Sequence, residues 1–242
     1  MTDLSIIFPC FNEEKNLDIL IKKITSVKKK YKIKIEFILV NNGSIDNTAQ
    51  ILKKLNHKNL FKIINIKKNR GYGGGILKGL FFSRGKIVSW THSDLQCDPH
   101  DIIKAFIKYK KEIHNSKAII KGKRINRRFV DDVFSVCMAL FTSIVFRIKF
   151  DDINAQPKIF HRKFLKYLKK APKDFSLDLF FLFAAKRNLY KILEYPVYYK
   201  KRIKGEAKGG GSLLGKLMLS IRTFKFIISL KAKLYGNYNT QN

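Results

Sequence analysis

The stretch Ile87-Val88-Ser89-Trp90-Thr91-His92-Ser93-Asp94-Leu95-Gln96-Cys97-Asp98-Pro99 decides how the rest of the chain is read. A short apolar run passes into a polar cluster, and Asp98-Pro99 then has the form of a helix N-cap followed by a first-turn proline. A strand that ends at a helix start is where open α/β sheets bind ligands. If the backbone past Trp90 is extended, His92, Asp94 and Gln96 share a face and converge on one ligand or metal ion. A lone histidine is more often structural. Asp94 and Gln96 beside it add the hard oxygens that Mg²⁺ or Mn²⁺ prefers, with diphosphate oxygens to complete an octahedron.

Working back from this stretch, strands are expected at residues 4–8, 33–40, 61–66 and 87–90. Helices are expected between them: one opening at Phe11-Asn12-Glu13-Glu14, with Leu17, Leu20, Ile21, Ile24 and Val27 at helical spacing, one over 44–55 and one over 76–83. This βαβαβαβ order predicts an α/β fold with a doubly wound, mostly parallel sheet. Forward of Pro99, the pattern predicts a helix to about 114, a strand at 118–122, a basic loop at 123–128 and an apolar helix over 133–148. Further elements follow: helices near 161–170 and 177–188, a strand at 190–199, a basic glycine-rich loop at 200–211 and an amphipathic C-terminal helix over 213–234. The division expected is one large domain, residues 1–211, and an amphipathic helix with its tail, residues 212–242.

The chain has 242 residues, 45% hydrophobic and 13% aromatic, which excludes a disordered protein and is long enough for a sizeable core. Its formal net charge of +32 admits two explanations. One is an anionic partner, either nucleic acid or an anionic membrane surface. The other is a general excess of exposed lysine. Cys10, Cys97 and Cys137 are an odd set without zinc spacing, and the N-terminus lacks the basic and apolar regions of a signal peptide, so a reduced, cytoplasmic setting is expected. The longest uncharged apolar stretch, 133–146, is shorter than the roughly 18–20 residues needed to span a bilayer.

Three further loops fall directly after strands. Pro9-Cys10-Phe11-Asn12-Glu13 and Asn41-Asn42-Gly43-Ser44-Ile45-Asp46 each have the form of a capped loop. Gly71-Tyr72-Gly73-Gly74-Gly75 suits either a phosphate cradle at a helix start or a tight packing turn, and lacks the Lys-Ser/Thr ending of a P-loop. Together with the opening stretch they would lie on one edge of the sheet, which favours a nucleotide pocket.

Taken in order, Phe8-Pro9-Cys10-Phe11-Asn12-Glu13, Val40-Asn41-Asn42-Gly43-Ser44-Ile45-Asp46-Asn47-Thr48, Asn69-Arg70-Gly71-Tyr72-Gly73 and Ser93-Asp94-Leu95-Gln96-Cys97-Asp98-Pro99 resemble family 2 glycosyltransferases. The nearest branch is that of polyprenyl-phosphate sugar synthases of the dolichyl-phosphate mannose synthase kind, and the resemblance covers residues 4–208. It implies a GT-A fold that holds a UDP- or GDP-sugar through Pro9, Phe11, Asn12, Glu13, Asn41, Asn42, Asp46, Arg70, Gly71 and Asp94. Asp94 matches the second aspartate of the family's Asp-x-Asp motif, and Gln96 a glutamine that joins it at the metal. His92 stands where the first aspartate is usual, and Asn42 where an aspartate often reads the base. Gly122-Lys123-Arg124, Asp152 and Arg202-Ile203-Lys204-Gly205-Glu206-Ala207-Lys208 resemble acceptor-side elements. A lipid phosphate needs fixed cations beside an apolar surface, which Arg124, Arg128, Arg202 and Lys208 could supply. Asp174 and Asp178 fall at a helix start, where capping is the ordinary role, and the resemblance sets Asp178 near the acceptor.

The chemistry expected is an inverting transfer from a nucleotide-sugar, with Mg²⁺ or Mn²⁺ and nearby cations stabilising the departing nucleoside diphosphate. A polyprenyl phosphate acceptor is already anionic, whereas a sugar hydroxyl would need a carboxylate to take its proton, Asp98 or Asp152 being the first candidates. The helices at 133–148 and 213–234 suit an interfacial anchor on anionic lipid at the inner face of the membrane, with Lys216, Arg222, Lys225, Lys231 and Lys233 toward head groups. A homo-oligomer interface or internal packing is the alternative. A nucleic-acid-binding protein is the rival class, but the charge is spread along the chain and no nucleic-acid motif appears, so no nucleic acid is expected as partner. A nucleotidyltransferase using the same pocket is a further alternative, although no triphosphate loop is recognisable.

Overall fold

In a computed structural model, which describes residues 2–56, 59–115, 117–126, 129–200, 202 and 213–236, the elements run in the following order. They are β1 (Leu4–Cys10), α1 (Leu17–Lys30), β2 (Ile35–Asn42), α2 (Thr48–Leu55), β3 (Lys62–Ile66), α3 (Gly71–Phe82), β4 (Ile87–Trp90), α4 (Pro99–Lys108), α5 (Lys110–His114), β5 (Ala118–Ile125), α6 (Phe129–Phe146), β6 (Lys158–His161), a 3-10 helix (Arg162–Leu168), α7 (Leu177–Arg187), β7 (Lys191–Tyr198) and α8 (Leu213–Gly236). The chain falls into two compact units, Met1–Asn126 with Ala155–Gly205, and Arg127–Asn154 with Glu206–Asn242.

The first unit is built on a seven-stranded sheet in the order β3-β2-β1-β4-β6-β5-β7. The pairs β1–β2, β1–β4, β2–β3 and β5–β7 are parallel, and β6 alone runs antiparallel, between β4 and β5. The expected doubly wound, mostly parallel α/β sheet is therefore present. On one face, Leu4, Ile6 and Phe8 of β1 pack with Leu20, Ile24 and Val27 of α1 and Ile102, Ile103 and Phe106 of α4, all buried. On the other, α3 lies against Ile7 and Val40, while Trp90 meets Phe160 and Phe181 edge-on with ring centroids 5.7 and 4.9 Å apart. Burial on both faces explains why the strands read as continuous apolar runs rather than alternating ones.

Several boundaries differ from expectation for local reasons. β2 continues through Asn41 and Asn42, which pair with Asn65 and Ile66 of β3, so the turn begins at Gly43. Lys123, Arg124 and Ile125 belong to β5 rather than to a basic loop, because β7 runs alongside them to Tyr198. The glycine run lies within α3, which begins five residues before the expected start. Past Trp90 the chain is bent, not extended, and Leu95 has a φ of +63°. The Asp94 carboxylate causes this locally: its Oδ1 accepts from the Gln96 N–H at 3.1 Å, as a turn-forming aspartate does. The premise that His92, Asp94 and Gln96 share one face of an extended strand therefore fails.

In the second unit, Phe141 of α6 meets Phe224 of α8 edge-on at 4.3 Å, and Ala139 and Ile227 are buried. Val133, Val136, Leu140 and Ile144 of α6 stay exposed, as do Leu217, Met218, Ile221 and Ile228 of α8. Their spacing along α6 sets them on one side of that helix. Among the described residues, no helix is long and apolar enough to cross a membrane.

Candidate functional site

The C-terminal ends of β1, β2, β3 and β4 lie along one edge of the sheet, where parallel strands leave unpaired backbone groups and ligands enter. Two of the loops there are sewn together by side chains. Asn12 N–H donates to Ser44 Oγ at 3.0 Å, Glu13 N–H to Thr48 Oγ1 at 2.8 Å and Glu14 N–H to Asp46 Oδ2 at 3.2 Å. In return, Ile45 N–H donates to Asn12 Oδ1 at 2.9 Å and Asn47 N–H to Glu14 Oε2 at 3.1 Å. Asn12 sits at a φ of +52°, a conformation asparagine tolerates better than most residues. Asp46 also accepts from Thr48 N–H through Oδ1 at 3.0 Å, at the start of α2. The loop after β1 is joined to β4's exit through Ser93, whose hydroxyl donates to the Pro9 carbonyl at 2.6 Å. Phe11 is half-buried in the same loop.

Beside these loops lies a charged corner. The buried Glu13 carboxylate accepts from Asn16 Nδ2 through Oε2 at 2.6 Å and from Arg202 Nη2 through Oε1 at 2.9 Å. The same guanidinium nitrogen stands 3.5 Å from Asp94 Oδ2. Arg202, expected on the acceptor side, is thus placed between the two carboxylates of the expected donor side. Gln96 faces elsewhere: its Oε1 accepts from the Tyr199 hydroxyl at 2.9 Å and its Nε2 donates to the Lys200 carbonyl at 3.3 Å. His92 lies against the Tyr72 ring, with centroids 5.6 Å apart.

Asn42 clasps the loop after β3. Its Nδ2 donates to Asn69 Oδ1 at 3.2 Å and the Gly71 carbonyl at 2.9 Å, while its Oδ1 accepts from the Arg70 N–H at 3.2 Å. Asn41 bridges similarly, donating to Asn65 Oδ1 at 3.1 Å and accepting from Ser44 N–H at 3.2 Å. The glycine run answers to packing. Gly71 has a φ of +78°, and a Cβ on Gly73 would lie 2.6 Å from the Pro172 carbonyl oxygen. The Gly74 N–H is taken by the Lys173 carbonyl at 2.9 Å, so it is not free to cradle a phosphate.

A polar network that sequence reasoning largely missed lies beneath His92. The Tyr72 hydroxyl donates to Asp178 Oδ2 at 3.0 Å, and Gln156 Nε2 donates to Asp178 Oδ1 at 2.8 Å and reaches the Tyr72 oxygen at 3.1 Å. The Lys158 ammonium, fully buried, is 3.6 Å from Asp178 Oδ1. Phe175 stacks on the Tyr72 ring at 4.8 Å. Burial pushes the Tyr72 phenol well above its ordinary value, and the Asp178 carboxylate beside it adds to the effect, so the phenol stays a proton donor. The signal that could have found this network is a lysine and a glutamine beside the apolar Ile159-Phe160 of a central strand, where an unpaired polar group is costly.

The remaining expected residues sit as follows. Asp98 caps α4, accepting from the His100 N–H at 3.0 Å, and pairs with Lys23 at 2.8 Å. Burial works to raise its pKa, but the Lys23 hydrogen bond and the His100 N–H outweigh it and hold the carboxyl below its ordinary value. Arg124 lies over the Tyr199 ring at 5.3 Å. Asp152 belongs to the second unit and has a φ of +36°. Arg128 and Lys208 lie outside the described residues. Burial pushes the Cys10 thiol up to about 12, so it is not a thiolate at neutral pH.

Among the described residues, no three His, Cys, Asp or Glu side chains are grouped to hold a metal ion. The donor set still fits Mg²⁺ or Mn²⁺ held mainly by a substrate: such ions keep one or two carboxylates and take phosphate oxygens for the rest. Asp94 would be that carboxylate, and its Oδ2 lies 3.5 Å from the Arg202 guanidinium.

Comparison with known proteins accords with this geometry. The family model for "Glycosyl transferase family 2" matches residues 5–136. A dodecaprenyl-phosphate galacturonate synthase of Rhizobium johnstonii is 25% identical over 96% of this chain and 69% of its own length. An undecaprenyl-phosphate 4-deoxy-4-formamido-L-arabinose transferase of Pseudomonas fluorescens is 34% identical over 41% of this chain, and a dolichyl-phosphate beta-glucosyltransferase of Saccharomyces cerevisiae 37% over 38%. The chain spans only 30% and 29% of the lengths of those two. Among solved structures, glucosyl-3-phosphoglycerate synthase from Mycobacterium tuberculosis, in complex with Mn²⁺, UDP-glucose and phosphoglyceric acid, superposes with a TM-score of 0.73 at 14% identity, over 96% of this chain and 80% of that one. That likeness speaks for the GT-A fold. With its family model matching more than half of the sequence and its sheet edge carrying the corresponding loops, the chain belongs to glycosyl transferase family 2.

Proposed function

We propose that the chain transfers a sugar from a nucleoside diphosphate sugar, UDP- or GDP-linked, to a polyprenyl phosphate, with inversion at the anomeric carbon. The observation that carries this is the Glu13–Arg202–Asp94 corner, where charged side chains meet at the end of β1 and β4 beside two loops locked to each other. The three relatives above, each a polyprenyl-phosphate sugar enzyme, support the acceptor. The Mn²⁺ and UDP-glucose bound by the structural neighbour support the donor and a divalent ion.

In this account, the loops carrying Pro9, Phe11, Asn12, Glu13, Asn41, Asn42, Asp46, Arg70 and Gly71 hold the nucleotide. Asp94, with His92 and Gln96 nearby in sequence, holds Mg²⁺ or Mn²⁺. A bound ion would supply charge neutralisation for the leaving diphosphate. Arg202 stabilises the same developing charge from the protein side, or receives the acceptor phosphate with Arg124, since guanidinium forks match phosphate geometry. A phosphate oxygen is already anionic near neutral pH, so the attacking group requires no general base, and Asp98 keeps its role as a cap. Asp178, held by Tyr72, Gln156 and Lys158, shapes the acceptor side. The exposed apolar residues of α6 and α8, with five basic and no acidic residues in α8, support peripheral contact with an anionic inner membrane face.

The test is incubation with a panel of UDP- and GDP-sugars and Mn²⁺ or Mg²⁺, with and without undecaprenyl phosphate. Lipid-linked sugar and released nucleoside diphosphate in equal amounts are expected. No release under any condition, alongside tight RNA binding, would reverse the proposal.

A further inference from the structure

At the C-terminal end of β3 a cavity of about 480 Å³ takes Lys67, Lys68, Arg70 and Lys78 into its lining, with Asn65 and Asn69 adding amides and no carboxylate contributing. Elsewhere in the sheet, lysines are paired: Lys62 with Glu36 at 2.6 Å, Lys121 with Glu194 at 2.8 Å. Among the described residues, none of the four lining cations is in an ion pair. Like charges gathered round one concavity repel each other, so the arrangement favours a multiply charged anion. The rim is fixed, because Asn42 grips Asn69 and Asn41 grips Asn65 through their amides. Lys78, on α3, lies outside the nucleotide loops, whereas Lys67 and Lys68 share the loop after β3 with Arg70.

We propose that this cavity is a second anion subsite, taking a diphosphate or phosphomonoester group, and separate from the Glu13–Asp94–Arg202 corner. Three ammonium groups supply charge and the Arg70 guanidinium supplies a fork that can engage two phosphate oxygens at once. The proposal does not depend on the transferase assignment, since it concerns binding and not transfer.

Titration calorimetry with inorganic pyrophosphate tests it on the full chain at low salt, with EDTA present so that no metal-bound diphosphate forms at Asp94. Saturable binding of one pyrophosphate per chain is expected. The combined variant Lys67→Gln, Lys68→Gln, Lys78→Gln should weaken it by roughly tenfold or more, the equivalent of about 1.4 kcal/mol. The matched variant Lys28→Gln, Lys29→Gln, Lys30→Gln removes the same charge from the exposed end of α1 and should leave it within about twofold. Equal loss in both, or loss in neither, would overturn the proposal. Should the triple variant fold poorly by thermal melt, Lys78→Gln alone should still give a graded loss, and no loss there would overturn it as well. Saturating UDP should leave pyrophosphate binding in place; displacement by UDP that persists in the triple variant would assign the anion to the donor corner instead. Flotation with phosphatidic acid vesicles, whose headgroup is a phosphomonoester, separates the sources. Vesicle binding lost in the triple variant and competed by pyrophosphate identifies a lipid headgroup, and vesicle binding unchanged with pyrophosphate binding weakened identifies a free phosphate compound.

Discussion

Two buried carboxylate clusters stand at opposite ends of the same strands, and they are satisfied in different ways. At the N-terminal end, Glu36 of β2 accepts from Ser5 Oγ at 2.5 Å, from the Arg84 N–H at 2.8 Å and from Lys62 Nζ at 2.6 Å. Two of these donors are strand residues and the third is the backbone leading into β4. At the C-terminal end, Glu13 and Asp94 share one guanidinium, supplied by Arg202 from beyond β7. The first arrangement closes on itself and leaves nothing for a ligand to satisfy. The second brings two carboxylates to one side-chain cation, which is the chemistry of a site that exchanges partners.

This contrast can be broken by substitution. Asp94→Ala should lower sugar transfer by about a hundredfold or more, read as kcat, with the fold intact by circular dichroism; wild-type turnover would remove Asp94 from the metal and diphosphate corner. Arg202→Ala should cost roughly ten- to a hundredfold, and Arg202→Lys should recover only part because a point charge cannot replace the fork. Glu36→Gln should do the opposite, lowering stability by about 1–3 kcal/mol in urea denaturation while leaving kcat within about twofold.

The pH dependence of stability sharpens the same comparison. Burial acts to raise the Glu36 pKa, but the Lys62 and Ser5 hydrogen bonds and the Arg84 N–H outweigh it and hold it below the ordinary 4.5. A carboxyl whose pKa is depressed by folding contributes its stability in full above the unfolded value and loses it as pH falls through the folded value. Wild type should therefore lose stability more steeply than Glu36→Gln as pH drops below about 4.5, and parallel curves would show that Glu36 is not held ionised by folding. The smallest effect expected is that of Tyr72→Phe. It keeps the stack on Phe175 and removes only the hydroxyl that donates to Asp178, with a loss of a few-fold in transfer, about 1 kcal/mol.

Much of the fold was legible because the strands are apolar on both faces and each loop carries its own punctuation. Asp98-Pro99 proved to be the helix cap its spacing announced, and Ile87 to Trp90 the strand. What was not legible depended on partners far along the chain. Lys123 and Arg124 look like loop residues until β7 pairs with them. Gly71 and Gly73 look like part of a phosphate cradle until the backbone at 172–174 arrives. His92, Asp94 and Gln96 alternate in sequence, but an aspartate that accepts from the backbone two residues on bends the chain, and Gln96 is drawn to Tyr199. Arg202 was expected as a phosphate ligand for its charge; that it would meet Glu13, 189 residues away, no local pattern could tell.

The central claim, that the Glu13–Asp94–Arg202 corner receives a metal-bound diphosphate, is tested most directly by titrating UDP and GDP into the chain with and without Mn²⁺. The account predicts that Mn²⁺ tightens binding of at least one of them by roughly tenfold or more, and that Asp94→Ala abolishes this gain. Affinities that are the same with and without Mn²⁺, or a gain that survives in Asp94→Ala, would contradict it.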